Sequence, residues 1–133
     1  MMRALAAALL GCVLALGVAC GDGGPSAARP RSPATVEILE PEASAVVTGA
    51  EFTVRIRLQG GRIVQETSRD LTPTEGHVHV SVDGNILSQT YGLTQELEMP
   101  EAGRHLLQVE FVAKDHGPFD PRVIASVPFE VRD

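Results

Sequence analysis

From Ala34 to Asp133 this chain alternates apolar and polar side chains with a period of two. Residues 52–58 read Phe-Thr-Val-Arg-Ile-Arg-Leu, and a similar alternation recurs in residues 77–82, 107–111 and 123–131. Successive side chains of a β-strand point to opposite faces, so this period is typical of strands with one buried and one solvated face. No segment has the 3.6-residue period of a long amphipathic helix. The sequence therefore predicts an all-β domain.

Short turns separate seven strand candidates. They cover residues 35–40, 51–59, 77–82, 85–90, 93–99, 105–113 and 123–131. Asp83-Gly84 predicts a two-residue hairpin, because both residues tolerate the positive φ of a type I′ turn. Pro128 lacks the N–H of an interior strand and predicts an edge position for the last candidate. Seven short strands in a chain of this size predict an antiparallel immunoglobulin-like β-sandwich.

The first residues are typical of a secretory signal. One early cation, Arg3, precedes an apolar run over residues 4–16, and small residues precede Cys20. This ending is similar to the lipobox of bacterial lipoproteins, and the run is shorter than the roughly 20 apolar residues that span a membrane. We therefore expect a signal peptide over residues 1–19 and a lipidated Cys20 that anchors the chain to the bacterial cell envelope, on its periplasmic or cell-surface side. The alternative is an ordinary signal cleaved near Ala19, with Cys20 free or in an intermolecular disulfide.

Residues 20–33 form a predicted tether, because they are rich in Gly, Pro and Ser and contain no large apolar side chain. Such a segment orders poorly and would hold the domain on the order of 20 Å from the bilayer. Residues 34–133 are then one domain with one core. Cys12 and Cys20 are the only cysteines, so no disulfide is expected inside that domain.

Charge argues against nucleic acid as a partner. The net charge of the chain is −6, and loss of residues 1–19 removes Arg3 and no acidic residue, which makes the net charge −7. An acidic domain repels phosphate backbones and anionic lipid headgroups. The predicted contact with the membrane is therefore the lipid on Cys20, and the predicted partner is an envelope protein.

Three of the four histidines are expected at one end of the sandwich. If residues 77–82 pair with residues 105–113 so that alternate valines face the core, His77 lies opposite Val112 and His79 opposite Glu110, both on the outward face. His116 then begins the loop beside them. Imidazoles at i and i+2 of a strand, with a third from a loop, are a donor set for Zn(II) or Cu(II).

Carboxylates near these histidines are candidate supporting groups. Glu110, Asp115 and Asp120 are the expected ones, while His105 falls at the opposite end, near the Asp83-Gly84 turn. Histidines that are only solvated or hydrogen-bonded are the alternative to a metal site with Cu or Zn.

No enzyme signature is present. The chain has no Gly-x-Ser-x-Gly elbow, and no lysine with serine or threonine follows Gly60-Gly61 as in a phosphate loop. We expect no catalytic residues. The segment from Gly60 to Gly76 exceeds ordinary hairpin loops and is the expected binding loop.

Three motifs resemble a family of small exported bacterial domains whose function is unknown. They are Gly76-His77-Val78-His79, Gly103-Arg104-His105-Leu106-Leu107 and Asp115-His116-Gly117-Pro118-Phe119-Asp120-Pro121. The resemblance covers about the last 60 residues, from Gly76 onward, and implies an immunoglobulin-like domain in which the histidines are a family feature. Family members carry further histidines where this chain has Val78 and Phe119, so a family metal site would be weaker here.

Two functions follow as hypotheses. The first is a non-enzymatic, membrane-anchored lipoprotein with an immunoglobulin-like binding domain. The second is a small envelope protein that binds Cu or Zn through His77, His79 and His116.

Overall fold

Residues 28–133 are the part of the chain that the structure, a computed structural model, describes. The expected signal peptide, Cys20 and the first part of the expected tether lie outside the described residues. Within residues 28–133 every element of regular secondary structure is a β-strand. No helix in this range is long and apolar enough to cross a membrane.

Nine strands follow one another along residues 28–133. Their bounds are β1 Thr35–Glu40, β2 Ala45–Val47, β3 Glu51–Gln59, β4 Arg62–Ile63, β5 Glu75–Val82, β6 Asn85–Ser88, β7 Thr94–Glu98, β8 Gly103–Ala113 and β9 Pro118–Val131. Seven of them match the expected strands. The short strands β2 and β4 lie between the predicted strands, where the sequence predicts none, and β9 begins five residues earlier than expected.

The strands form two sheets. One has the order β1-β3-β7, and the other has the order β2-β9-β8-β5-β4, with β6 also paired to β5. All pairs are antiparallel except the two short ones, β2 with β9 and β4 with β5. The predicted immunoglobulin-like sandwich is confirmed.

The core lies between the inward faces of the two sheets. On β5, Val78, Val80 and Val82 are buried and lie opposite Phe111, Val109 and Leu107 of β8. The other sheet contributes buried side chains at alternate positions of β3, namely Phe52, Val54 and Ile56. The two-residue alternation therefore located both the strands and their inward faces.

The end of β9 corrects one expectation. Pro128 is not on an edge strand there, because β2 runs beside β9 from Phe129 onward. The Pro128 carbonyl accepts a hydrogen bond from the backbone N–H of Ser44, at 2.7 Å. In a strand the N and C=O of one residue point to the same side, so the missing N–H faces β2 and costs no bond to β8.

The Asp83-Gly84 hairpin is confirmed. Asp83 has φ 51° and Gly84 has φ 83°, which are the left-handed conformations that a type I′ turn requires. This turn joins β5 to β6 and marks the end of the sandwich farthest from the start of β5.

Candidate functional site

Strand β5 places two histidines at the start of the sheet. The predicted register is confirmed, with His77 opposite Val112 and His79 opposite Glu110. Gly76 precedes them at a point where the backbones of β5 and β8 lie very close together. A Cβ at this position would lie 1.8 Å from the Val112 carbonyl oxygen. Any larger residue would push the start of β5, and with it His77, away from β8.

The turn between β8 and β9 supplies the third histidine. The Ala113 carbonyl accepts from the His116 N–H at 2.9 Å, and the Ala113 N–H donates to the Gly117 carbonyl at 2.9 Å. His116 has φ 62°, a conformation that is uncommon outside glycine and asparagine. This tight turn holds the His116 ring over β5.

The three rings lie together. His79 Nε2 and His116 Nδ1 are 3.0 Å apart, and the ring centroids of His77 and His116 are 4.2 Å apart. The hydroxyl of Thr67 lies 3.4 Å from His116 Nε2. We call the end of the sandwich that carries these three rings the histidine end.

Both β5 histidines lie on the outward face of the sheet, as expected, but His77 is covered there by a loop. His79 is half-buried, but His77 is 0% exposed. The segment between β4 and β5 folds over it, so that the Glu66 carbonyl oxygen lies 3.1 Å from His77 Nε2, and the Tyr91 ring meets its edge. A carbonyl only accepts, so Nε2 carries the proton of the neutral ring, and Nδ1 is buried without a partner among the described residues.

Burial sets the charge of the two β5 histidines. It lowers the pKa of His77 below its ordinary value of 6.5, and the neighbouring His116 lowers it further. Burial and then His116 also lower the pKa of His79. Both rings are therefore mostly neutral at pH 7 and present unprotonated nitrogens.

Two of the three expected supporting carboxylates, Glu110 and Asp115, lie near the site but are already paired. Glu110, beside His79, accepts two hydrogen bonds from Arg122, at 2.7 and 2.5 Å. Asp115 accepts two from Arg29, at 2.6 and 2.8 Å, and this guanidinium lowers the pKa of Asp115 to about 2. Asp120 lies exposed on β9. Within residues 28–133, no group of three or more His, Cys, Asp and Glu side chains is arranged to hold a metal ion. The metal site of His77, His79 and His116 stays a prediction.

His105 lies at the opposite end, as its place in the sequence indicates. Its Nδ1 is 2.7 Å from an Asp83 carboxylate oxygen, and its Nε2 is 2.7 Å from the Glu101 carbonyl oxygen. The Asp83 carboxylate raises the pKa of His105, and burial opposes this effect. This histidine joins the hairpin to β8 and takes no part in the cluster.

A short segment before β1 docks on the histidine end. Arg29 also donates to the Pro118 carbonyl at 2.7 Å, and the Asp120 N–H donates to the Pro30 carbonyl at 3.1 Å. We call residues 29–33 the N-terminal strap. Composition alone placed these residues in a flexible tether, and no sequence signal marks Arg29 as the partner of Asp115.

A groove crosses the outer face of the β5-β8-β9 sheet beside the cluster. It has a volume of about 300 Å³. His79, Glu110 and Arg122 are among its polar lining residues, and Ile86 and Ile124 are apolar ones. Arg122 was not among the expected site residues, although its strand lies next to the one that carries Glu110.

Comparison with known proteins identifies the fold alone. No protein family and no curated protein matches this chain. Fibronectin(III)-like modules of Clostridium thermocellum CbhA match it with a TM-score of 0.52 and 15% identity, over 73% of this chain and 94% of that chain. The crystal structure of an engineered protein matches with a TM-score of 0.50 and 16% identity over 75% of this chain, which spans only 20% of the engineered protein.

Proposed function

We propose that this chain is an exported lipoprotein, anchored through Cys20, whose sandwich is a non-enzymatic module that binds an envelope protein at its histidine end. The observation that carries the proposal is where the chain enters the sandwich. Thr35 begins β1 opposite Gln59, at the end of the domain where β5 begins. The strap continues across the same end, because Arg29 is paired with Asp115.

A lipid on Cys20 would therefore attach the domain to the membrane from its histidine end. Arg29 lies nine positions after Cys20, which limits the distance between them to about 30 Å. The Asp83-Gly84 hairpin lies at the other end of β5, about 25 Å farther away for a strand of this length. A partner in or on the same membrane would meet the histidine end first.

The chemistry of the histidine end supports binding and not catalysis. The Thr67 hydroxyl lies 3.4 Å from His116 Nε2, as a nucleophile lies beside its general base in a hydrolase. The other nitrogen of His116 faces His79 and not a carboxylate, so the carboxylate that orients the base in a catalytic triad has no counterpart at His116. The groove of about 300 Å³ beside His79 offers a partner both ion-paired and apolar contacts.

Photo-crosslinking in cells tests the binding site. A photoreactive amino acid replaces exposed Thr67 at the histidine end, and exposed Glu101, whose carbonyl meets His105 at the hairpin end, is the matched control outside the groove. We expect an adduct with one envelope protein from position 67 and none from position 101. Adducts only from position 101 would contradict the proposal.

Membrane fractionation tests the anchor separately. Cys20→Ser should move the protein to the soluble fraction while its domain remains folded. The same variant still bound to membranes, or a wild-type chain without incorporated fatty acid, would overturn the lipoprotein proposal.

A further inference from the structure

Two imidazole nitrogens face each other at the histidine end, His79 Nε2 and His116 Nδ1, 3.0 Å apart. We propose that these two nitrogens chelate one Zn(II) or Cu(II) ion, with His77 as a supporting group and not a ligand. The proposal does not depend on the anchor or on the envelope partner.

The distance between the nitrogens fits a shared metal ion. Zinc binds imidazole nitrogen at about 2.0–2.1 Å, so two ligands at angles of 90–110° lie about 2.9–3.4 Å apart. In the structure the two nitrogens face each other along an N–H···N hydrogen bond, because the ring centroids are 5.3 Å apart, so both rings must turn by roughly 40° to aim their lone pairs at one shared ion. When the ion binds, the proton on the facing nitrogen leaves it, either for the other nitrogen of that ring or for solvent.

The backbone holds both rings before any ion arrives. His79 lies inside the β5-β8 ladder, and His116 lies in a turn closed by hydrogen bonds to Ala113. Arg29 braces this turn through Asp115, whose carboxylate also accepts from the Gly117 N–H at 3.0 Å. Binding therefore needs little ordering of the chain, which is the main cost of a chelate built on loops.

His77 supports the pair from below. Its ring packs against His116 at an interplanar angle of 34°, and its Nε2 is committed to the Glu66 carbonyl, so that the lone pair of Nδ1 is buried without a donor among the described residues. A water molecule on the metal ion is the donor that this nitrogen lacks. Such outer groups typically change metal affinity by 10–100-fold when they are removed.

The donor atoms favour Zn(II) and Cu(II) over Mg(II) and Ca(II). Imidazole nitrogens suit borderline metals, while magnesium and calcium need several oxygens. The nearby oxygens are neutralised, because Glu110 is paired with Arg122 and Asp115 with Arg29. With Arg122 removed, Glu110 becomes a further ligand beside His79.

Titration of the mature chain without a histidine tag tests the chelate. We expect one Zn(II) or Cu(II) per chain, an affinity loss of at least about 100-fold in His79→Ala and His116→Asn, and about tenfold in His77→Phe. Asparagine suits position 116 because it tolerates positive φ. Arg122→Ala should bind more tightly than wild type, and His105→Ala at the opposite end should bind equally.

Electron paramagnetic resonance of the Cu(II) form counts the ligands directly. Coupling to two imidazole nitrogens is the expected result. Three imidazole nitrogens, or a His77→Phe variant as weak as His79→Ala, would overturn the two-histidine assignment in favour of three ligands. No binding by the wild type, or unchanged binding by folded His116→Asn, would overturn the site itself.

Discussion

Removal of the Arg29 side chain should destabilise a domain whose first strand begins six residues later. Arg29 donates two hydrogen bonds to Asp115 and one to the Pro118 carbonyl, and its guanidinium also packs where Gly117 has no Cβ. In Arg29→Ala these bonds are lost, and the Asp115 carboxylate keeps only its bond from the Gly117 N–H. The strap should then detach from the turn between β8 and β9.

The magnitude follows from the pKa of Asp115. A decrease from 3.8 to about 2 corresponds to about 2.4 kcal/mol of preference for the charged carboxylate in the folded state. The side chains of Arg29 and Asp115 are 27% and 26% exposed, so solvent screens their interaction. The Gly117 N–H also stabilises the Asp115 carboxylate. Together these two effects reduce the stabilisation due to Arg29 to about 1 kcal/mol. For a domain of this size, this loss lowers Tm by about 4–8 °C.

The effect should depend on pH in one direction. Because the folded pKa of Asp115 is lowered, its stabilisation is present above the ordinary value of 3.8 and is lost as the pH falls through about 2. Thermal unfolding of wild type and Arg29→Ala should therefore differ most near pH 7 and converge toward pH 2. Arg31→Ala, an exposed arginine two residues away, is the matched control and should leave Tm unchanged. A Tm difference as large at pH 2 as at pH 7, or an equal effect of Arg31→Ala, would refute the reasoning.

Two further predictions concern the core and the hairpin end. Val80→Asp should unfold the domain, because Val80 is 0% exposed and an unpaired carboxylate there costs several kcal/mol. His79→Ser should lower the stability of the domain by about 1 kcal/mol or less. A lower Tm for His79→Ser than for Val80→Asp would contradict the register. His105→Gln should lower Tm more near pH 5 than near pH 9, because Asp83 raises the pKa of His105 and this stabilisation, complete below 6.5, is lost as the pH rises through the raised pKa. Equal Tm losses at both pH values would argue against a charged pair.

The sheet register was predictable because the side chains of β5 and β8 repeat with a period of two. A shift by one residue would have turned Val80 and Val109 out of the core. The same register brought His77 and His79 to the start of β5, and the Asp115-His116-Gly117 turn placed the third histidine beside them. These parts of the site needed only local pattern and strand pairing.

The burial of His77 was not predictable in this way. It depends on the segment between β4 and β5, which has no periodicity and supplies a backbone carbonyl from Glu66. Every residue type has a backbone carbonyl, so the sequence does not show which one will accept from His77. The docking of the strap is similar, since a single arginine in a segment rich in Pro and Ser has the composition of a linker until Asp115 is found beside it.

The orientation of the domain at the membrane is the most direct test of the account. In the acylated chain the sulfur of Cys20 is blocked, so Thr67→Cys and Asn85→Cys can each be labelled with a single fluorophore. We predict stronger energy transfer to a bilayer acceptor from position 67 than from position 85, since the two ends of β5 lie about 25 Å apart. Loss of both signals in Cys20→Ser would show that the lipid anchor is required. Equal transfer from both positions of the acylated chain, or stronger transfer from position 85, would contradict the central claim that the histidine end faces the membrane.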